Sequence, residues 1–146
     1  MAASNIFYDK FVLNQFNGGA VDFDTNTMKI ALCTSSYTPS LANHDFFDDI
    51  TNEVSATGYT AGGYTLANVT LASATPVITF DNTVDPNWTT ATFTARYAVL
   101  YQSTGTASTS PLVSLIDLGG DQTVSGATLT LVLNASGIFT VTKNES

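Results

Sequence analysis

The chain has 146 residues, which fits one domain whose core buries roughly 70% of the unfolded chain's surface. Its apolar share of 44% is ordinary for a globular protein, but only 11% of its residues are charged, and Thr, Ser and Asn supply most of the polarity. Four scattered basic residues stand against twelve acidic ones, a net charge of −8, which argues against nucleic-acid binding because affinity for phosphate needs clustered Lys and Arg.

Residues 1–26 are predicted to form an N-terminal helical arm and a connection. Apolar residues recur at helical spacing after Ser4, and this spacing predicts one amphipathic helix over residues 5–17. Two roles stay open for its aromatic stripe, which includes Phe7 and Phe11. The stripe either packs on the chain's own sheet, or it docks on a neighbouring subunit.

Residues 27–146 are predicted to form a β-sandwich domain, because short threonine-rich apolar runs alternate with clusters of turn residues. A short helix is predicted over 41–50, a loop at the tip of a hairpin over 103–110, and a turn over 121–126. The predicted strands are 27–34, 65–71, 77–80, 91–102, 112–118, 127–133 and 138–142. The expected fold is therefore mainly β: a single antiparallel β-sandwich or barrel-like domain with a short N-terminal helix and one short additional helix.

Catalytic chemistry has few candidate residues in this sequence. His44 is the one histidine, and without a placed nucleophile it is interpreted as a capping or surface residue. Cys33 is the one cysteine and lies inside an apolar run, which favours a buried, unreactive thiol. We therefore expect no enzyme, and we assign no catalytic, cofactor-binding or metal-binding residue.

One acidic group leaves two interpretations open. Its members are Asp45, Asp48, Asp49 and Glu53. Several carboxylates suit a hard cation such as Ca²⁺, but the group lacks the alternating ligands and central glycine of an EF-hand loop. A solvated acidic face is the first interpretation and a calcium site is the second.

The N-terminus lacks the basic and apolar regions of a secretory signal. No apolar stretch approaches the ~20 residues that cross a bilayer. The expectation is a chain that is synthesised and folded in a cytoplasm and does not bind membranes.

A succession of motifs resembles a known group of proteins. The motifs are KIALCTSSYTP at 29–39, TGYTAGGYTLAN at 57–68, TARYAVLY at 94–101, TGTASTSPL at 104–112 and IDLG at 116–119. This succession resembles small structural proteins encoded by tailed bacteriophages, and the likeness covers residues 29–138.

The resemblance implies a virion component, in the first place a capsid decoration or cement protein. Such a protein is assembled in the bacterial host cytoplasm, binds the major capsid protein on the outer capsid surface and stabilises contacts between neighbouring capsomers. It would be a homo-oligomer, with a trimer favoured, because a symmetric ring offers the same patch repeatedly and gains avidity. The group supplies no catalytic or ligand residues to carry over.

Two other functions stay open. The first is a tail, adaptor or fibre-associated virion subunit, because a compact β-domain serves these roles equally well. The second is a carbohydrate-binding module contacting the host surface, with exposed aromatic rings as stacking platforms. The candidates for that stacking are Tyr37, Tyr59, Tyr64 and Trp88.

Overall fold

The computed structural model describes residues 4–19, 21–134 and 136–142 and contains two antiparallel β-sheets in a sandwich-like arrangement. The predicted mainly-β class is confirmed. The strands are β1 Ser4–Phe7, β2 Met28–Cys33, β3 Tyr64–Thr65, β4 Val69–Ala74, β5 Val77–Asn82, β6 Asn87–Gln102, β7 Leu112–Thr130 and β8 Phe139–Thr142. One α-helix, α1, covers Asp9–Phe16 of the described residues.

The larger sheet has the strand order β1-β7-β6-β2-β3. Its centre is the long β6–β7 hairpin, which confirms the predicted loop between these strands, although Ala107–Thr109 forms a 3-10 turn within it. In β6 the residues between Asn87 and Ala95 mostly alternate between buried and exposed positions, whereas Ala98–Tyr101 are all buried. This half of the strand is covered on both faces, so it reads as a continuous apolar run.

The predicted turn over 121–126 is wrong, because these residues lie inside β7. In the register, Ala95 pairs with Gln122 and Tyr97 with Asp117, so four β7 residues, 118–121, lie opposite Arg96 alone. Asp121 and Gly126, two of the residues that indicate a turn in the sequence, instead lie where the register shifts. Gly126 has a positive φ of 60°, and such a left-handed glycine suits a bulge as well as a turn, so composition alone does not separate the two.

The predicted helix over 5–17 is also wrong at its N-terminal end. Residues 4–7 form β1, which pairs with β7 in the larger sheet, and the helix begins only at Asp9. Tyr8 between them keeps an extended backbone. Pairing with β7 supplies hydrogen bonds to the backbone along one side of β1, and tertiary hydrogen bonds of this kind outweigh a local preference for helix.

Two further predictions need correction. The short helix predicted over 41–50 is reduced to a 3-10 turn at Phe47–Asp49. The strand predicted over 65–71 is divided between β3 of the larger sheet and β4 of the smaller one. Asn68 has a positive φ of 53° just before β4, and this left-handed residue turns the chain from one sheet to the other.

The smaller sheet has the order β4-β5-β8, and a cluster of five phenylalanines joins it to the rest of the molecule. Phe80 of β5 and Phe139 of β8 lie 5.0 Å apart between ring centroids, and Phe23 contacts both, at 4.6 and 5.3 Å. Phe7 of β1 meets Phe139 at 4.8 Å, and Phe11 of α1 meets Phe23 at 5.8 Å. The N-terminal segment therefore shares this aromatic core with both sheets.

Candidate docking surface

The acidic group at residues 45–53 contributes hydrogen bonds within the fold. The Asp49 carboxylate accepts the backbone N–H of Asp45 at 2.8 Å, and this bond lowers the pKa of Asp49 below its ordinary value. Glu53 accepts the Tyr59 hydroxyl and the Gly62 N–H, each at 2.6 Å. The two carboxylates thus hold separate loops in place.

A metal site is not assembled from these acids. Within residues 4–19, 21–134 and 136–142, no three His, Cys, Asp or Glu side chains come close enough together to hold a metal ion. Asp48 is exposed, while Asp49 and Glu53 serve different turns. The acids therefore do not converge on one point, as the oxygen ligands of a calcium site must.

His44 ends a chain of buried hydroxyl groups. Its Nδ1 lies 2.9 Å from the Tyr37 hydroxyl, which lies 3.1 Å from the hydroxyl of Tyr8. Tyr8 and Tyr37 are buried, and burial raises the pKa of Tyr37 to about 12. The backbone N–H of His44 donates to the Ser40 carbonyl at 3.0 Å, so the ring and the 40–44 turn are held together over the two tyrosines.

Cys33 is fully buried at the end of β2, as the sequence predicts. Burial raises the pKa of its thiol to about 12, so the thiolate that would act as a nucleophile does not form near neutral pH.

Of the four aromatic residues proposed as sugar-stacking platforms, Tyr59 and Tyr64 pack against Trp88, and Tyr37 packs against His44 and Tyr97. Tyr37 and Trp88 are buried at 2% and 5% exposure. Tyr59 stacks on Trp88 at 6.4 Å and Tyr64 meets it edge-on at 5.9 Å. A sugar needs an open ring face, which Tyr37 and Trp88 do not offer.

The outer face of α1 is the most exposed apolar feature of the helix. Val12, Leu13 and Phe16 are 40%, 58% and 89% exposed. They share one side of the helix because Phe16 follows Val12 by four residues and Leu13 by three. We call these three residues the α1 outer patch.

Of the two roles left open for the aromatic stripe, packing on the chain's own sheet holds for Phe7 and Phe11. Phe11 is 7% exposed and belongs to the core, and Phe7 packs against Phe11 and Phe139. The α1 outer patch was missed because the helix is apolar on two sides. The signal was available: an eight-residue helix with apolar residues at four of its positions cannot bury them all against one sheet.

A second exposed apolar group lies on the smaller sheet. Ile78 of β5 pairs with Val141 of β8, and Leu71 of β4 lies diagonal to Ile78 on the same face. These side chains are 43%, 54% and 46% exposed. Phe80 and Phe139 lie at one end of the same face. We call the three exposed residues, Leu71, Ile78 and Val141, the sheet row.

Comparison with protein-family models, with curated proteins and with solved structures gave no significant match. Among the described residues, no helix has both the length and the apolar character needed to cross a membrane.

Proposed function

We propose that this protein is a virion structural protein of a tailed bacteriophage that decorates the outer surface of the capsid. The proposal rests on the resemblance of residues 29–138 to that group and on one structural observation, the exposed α1 outer patch. Its partner is the major capsid protein, and the protein acts by bridging neighbouring capsomers.

The α1 outer patch supports a docking role because its exposure is costly without a partner. Burying Phe16, Leu13 and Val12 from their present exposure contributes about 4 kcal/mol by apolar area. The cost of association offsets part of this, so a single contact is modest. Many copies on one shell, or several patches in one ring, turn modest contacts into firm attachment.

The charge distribution agrees with a protein partner on the outside of a shell. The net charge of −8 disfavours contact with packaged DNA. The patch itself consists of uncharged side chains, and burying them avoids the large penalty of burying an unpaired charge.

A quantitative protein inventory of purified virions, normalised to the major capsid protein, tests the proposal. Decoration predicts a ratio near one to one, or one copy per few capsid subunits. A few copies per hundred capsid subunits would instead support a tail, adaptor or fibre-associated subunit. Absence from virions would contradict both and leave a sugar-binding role to be tested with the remaining aromatic residues.

A pair of variants tests the patch itself. Phe16→Ser combined with Leu13→Ser should lower retention on particles by at least about tenfold, since two of the three apolar contacts are lost. Val132→Ser is the matched control, because Val132 is 75% exposed but lies outside α1. Equal retention of both variants would remove the patch from the interface, and equal loss would mean that attachment does not depend on α1.

A further inference from the structure

We propose that β4 is a self-association strand that pairs with β4 of a second copy of this chain. This inference concerns the protein in solution and does not depend on the virion proposal. It starts from the edge of the smaller sheet, where β4 is the terminal strand of the order β4-β5-β8.

The free edge of β4 carries none of the features that normally keep edges apart. Soluble proteins blunt an edge strand with charged side chains, proline, bulges or short length. The sequence of β4, VTLASA, contains no charge and no proline, and its register with β5 runs without a shift over all six residues. Five of the six residues are exposed, so the unpaired backbone groups on this side face solvent.

The other edge strands among the described residues are each better protected. β3 has two residues, and β1 has four, one of which, Asn5, donates its side-chain amide to the Ile138 carbonyl at 3.0 Å. β8 also has four residues, and Lys143 follows it in the sequence. β4 is thus the longest edge strand and the least guarded, with about 20 Å of backbone ready to pair.

A second copy is the occupant because an antiparallel edge strand is complementary to itself across a twofold axis, and the charges do not oppose this pairing. Two molecules that each carry a net charge of −8 repel each other, so they associate where no acid is brought against another acid. In the smaller sheet the one ionisable residue is Asp81, and it points away from the face that carries the sheet row. β4 itself is neutral throughout, so an antiparallel pair of β4 strands brings no like charges together.

The sheet row indicates which residues of the two β4 strands lie opposite each other. In a twofold antiparallel pair with Leu71 opposite Leu71 of the second copy, the odd-numbered residues of both strands lie on one side. The two sheet rows then join into one apolar surface across a six-stranded sheet. Backbone hydrogen bonds supply the attraction and the leucine pair fixes the register, as in other interfaces formed by strand addition.

The test compares two single substitutions on opposite edges of the same sheet. Ala72 of β4 and Thr140 of β8 are both exposed, both point away from the sheet row, and both lie opposite Thr79 of β5. Ala72→Lys places two lysines diagonal to each other across the proposed interface, whereas Thr140→Lys is the matched control. Each lysine lowers the net negative charge by one, so a loss of association cannot be ascribed to greater overall repulsion.

Sedimentation equilibrium of the whole chain, up to about 1 mM, measures the outcome. We expect a reversible monomer–dimer equilibrium whose dissociation constant rises about fivefold or more in Ala72→Lys and stays unchanged in Thr140→Lys. Thr70→Lys should weaken the dimer less than Ala72→Lys, because Thr70 lies opposite Asp81 of β5, which attracts the added lysine. A monomer throughout this range, a trimer, or a dimer that Ala72→Lys does not weaken would each overturn the inference. Unchanged circular dichroism and thermal unfolding of the variants serve as the folding control.

Discussion

Replacing Phe23 by Ala should strongly destabilise the protein, because this ring joins the smaller sheet to α1. Phe23 is 7% exposed and meets Phe80, Phe139 and Phe11 at 4.6, 5.3 and 5.8 Å between ring centroids. The turn at residues 22–26 holds it in place, since the Asp22 N–H donates to the Asn26 side chain at 2.8 Å. The rest of the turn is therefore not free to collapse into the space that the ring leaves.

The expected loss is about 3–5 kcal/mol of unfolding free energy, the usual range for a buried phenylalanine reduced to alanine. Three aromatic pairs disappear together, and each such pair is worth about 0.5–1.5 kcal/mol beyond its buried area, so the upper part of that range is expected. The free energy of unfolding of a typical protein is about 5–15 kcal/mol, so a loss of this size removes a large share of it.

Guanidinium unfolding, followed by circular dichroism and by the fluorescence of Trp88, measures this loss. Trp88 is the one tryptophan and is buried at 5% exposure, so its emission reports on the larger sheet. The midpoint should fall by about 1 M for a slope of about 4 kcal/mol per molar. Phe16→Ala is the matched control, because that ring is 89% exposed and should change stability by less than about 0.5 kcal/mol. A loss below about 1.5 kcal/mol for Phe23→Ala, or an equal loss for Phe16→Ala, would refute the assigned role of the cluster.

Three further predictions follow from particular contacts. Gly63→Ala should cost at least about 2 kcal/mol more than Gly105→Ala in urea unfolding. Both glycines have a positive φ, 78° at Gly63 and 89° at Gly105. A Cβ at residue 63 would lie 2.6 Å or less from backbone atoms of β2, whereas a Cβ at residue 105 would meet no atom within 4 Å. Equal losses of unfolding free energy in the two variants would contradict the predicted clash. The Cys33 thiol, whose pKa is raised to about 12 by burial, should not react with a disulfide reagent near pH 8 until the protein unfolds, and prompt reaction of the native protein would show that the site is open. Burial raises the pKa of Tyr37 and of Tyr101 from 10.0 to about 12, so their contribution to stability is complete below pH 10 and is lost as the pH rises toward 12; denaturant unfolding across this range should show the decline, and a flat profile would contradict it.

The sequence alone predicted some properties of the protein surface and core, but not which ring of the N-terminal segment is exposed. The low charge and the buried state of Cys33 both followed from composition and local pattern. The choice between Phe7 and Phe16 as the exposed ring did not, because helical periodicity marks which residues share a side but not which side meets the sheet. That choice depends on where β1 joins β7, which is a contact between residues more than 100 positions apart.

By itself, the sequence determined that this chain is an antiparallel β protein with one short helix near its N-terminus, because alternation and turn residues act over a few neighbouring positions. It also placed β2, β5, the end of β6 and the loop of the β6–β7 hairpin close to their observed bounds. Only the tertiary structure decided that residues 121–126 extend β7 as a bulged strand, that residues 4–7 are a strand, and that 65–71 divides between two sheets. In each case, backbone groups found hydrogen-bond partners far away in the chain, and a local pattern of residues carries no information about partners at that distance.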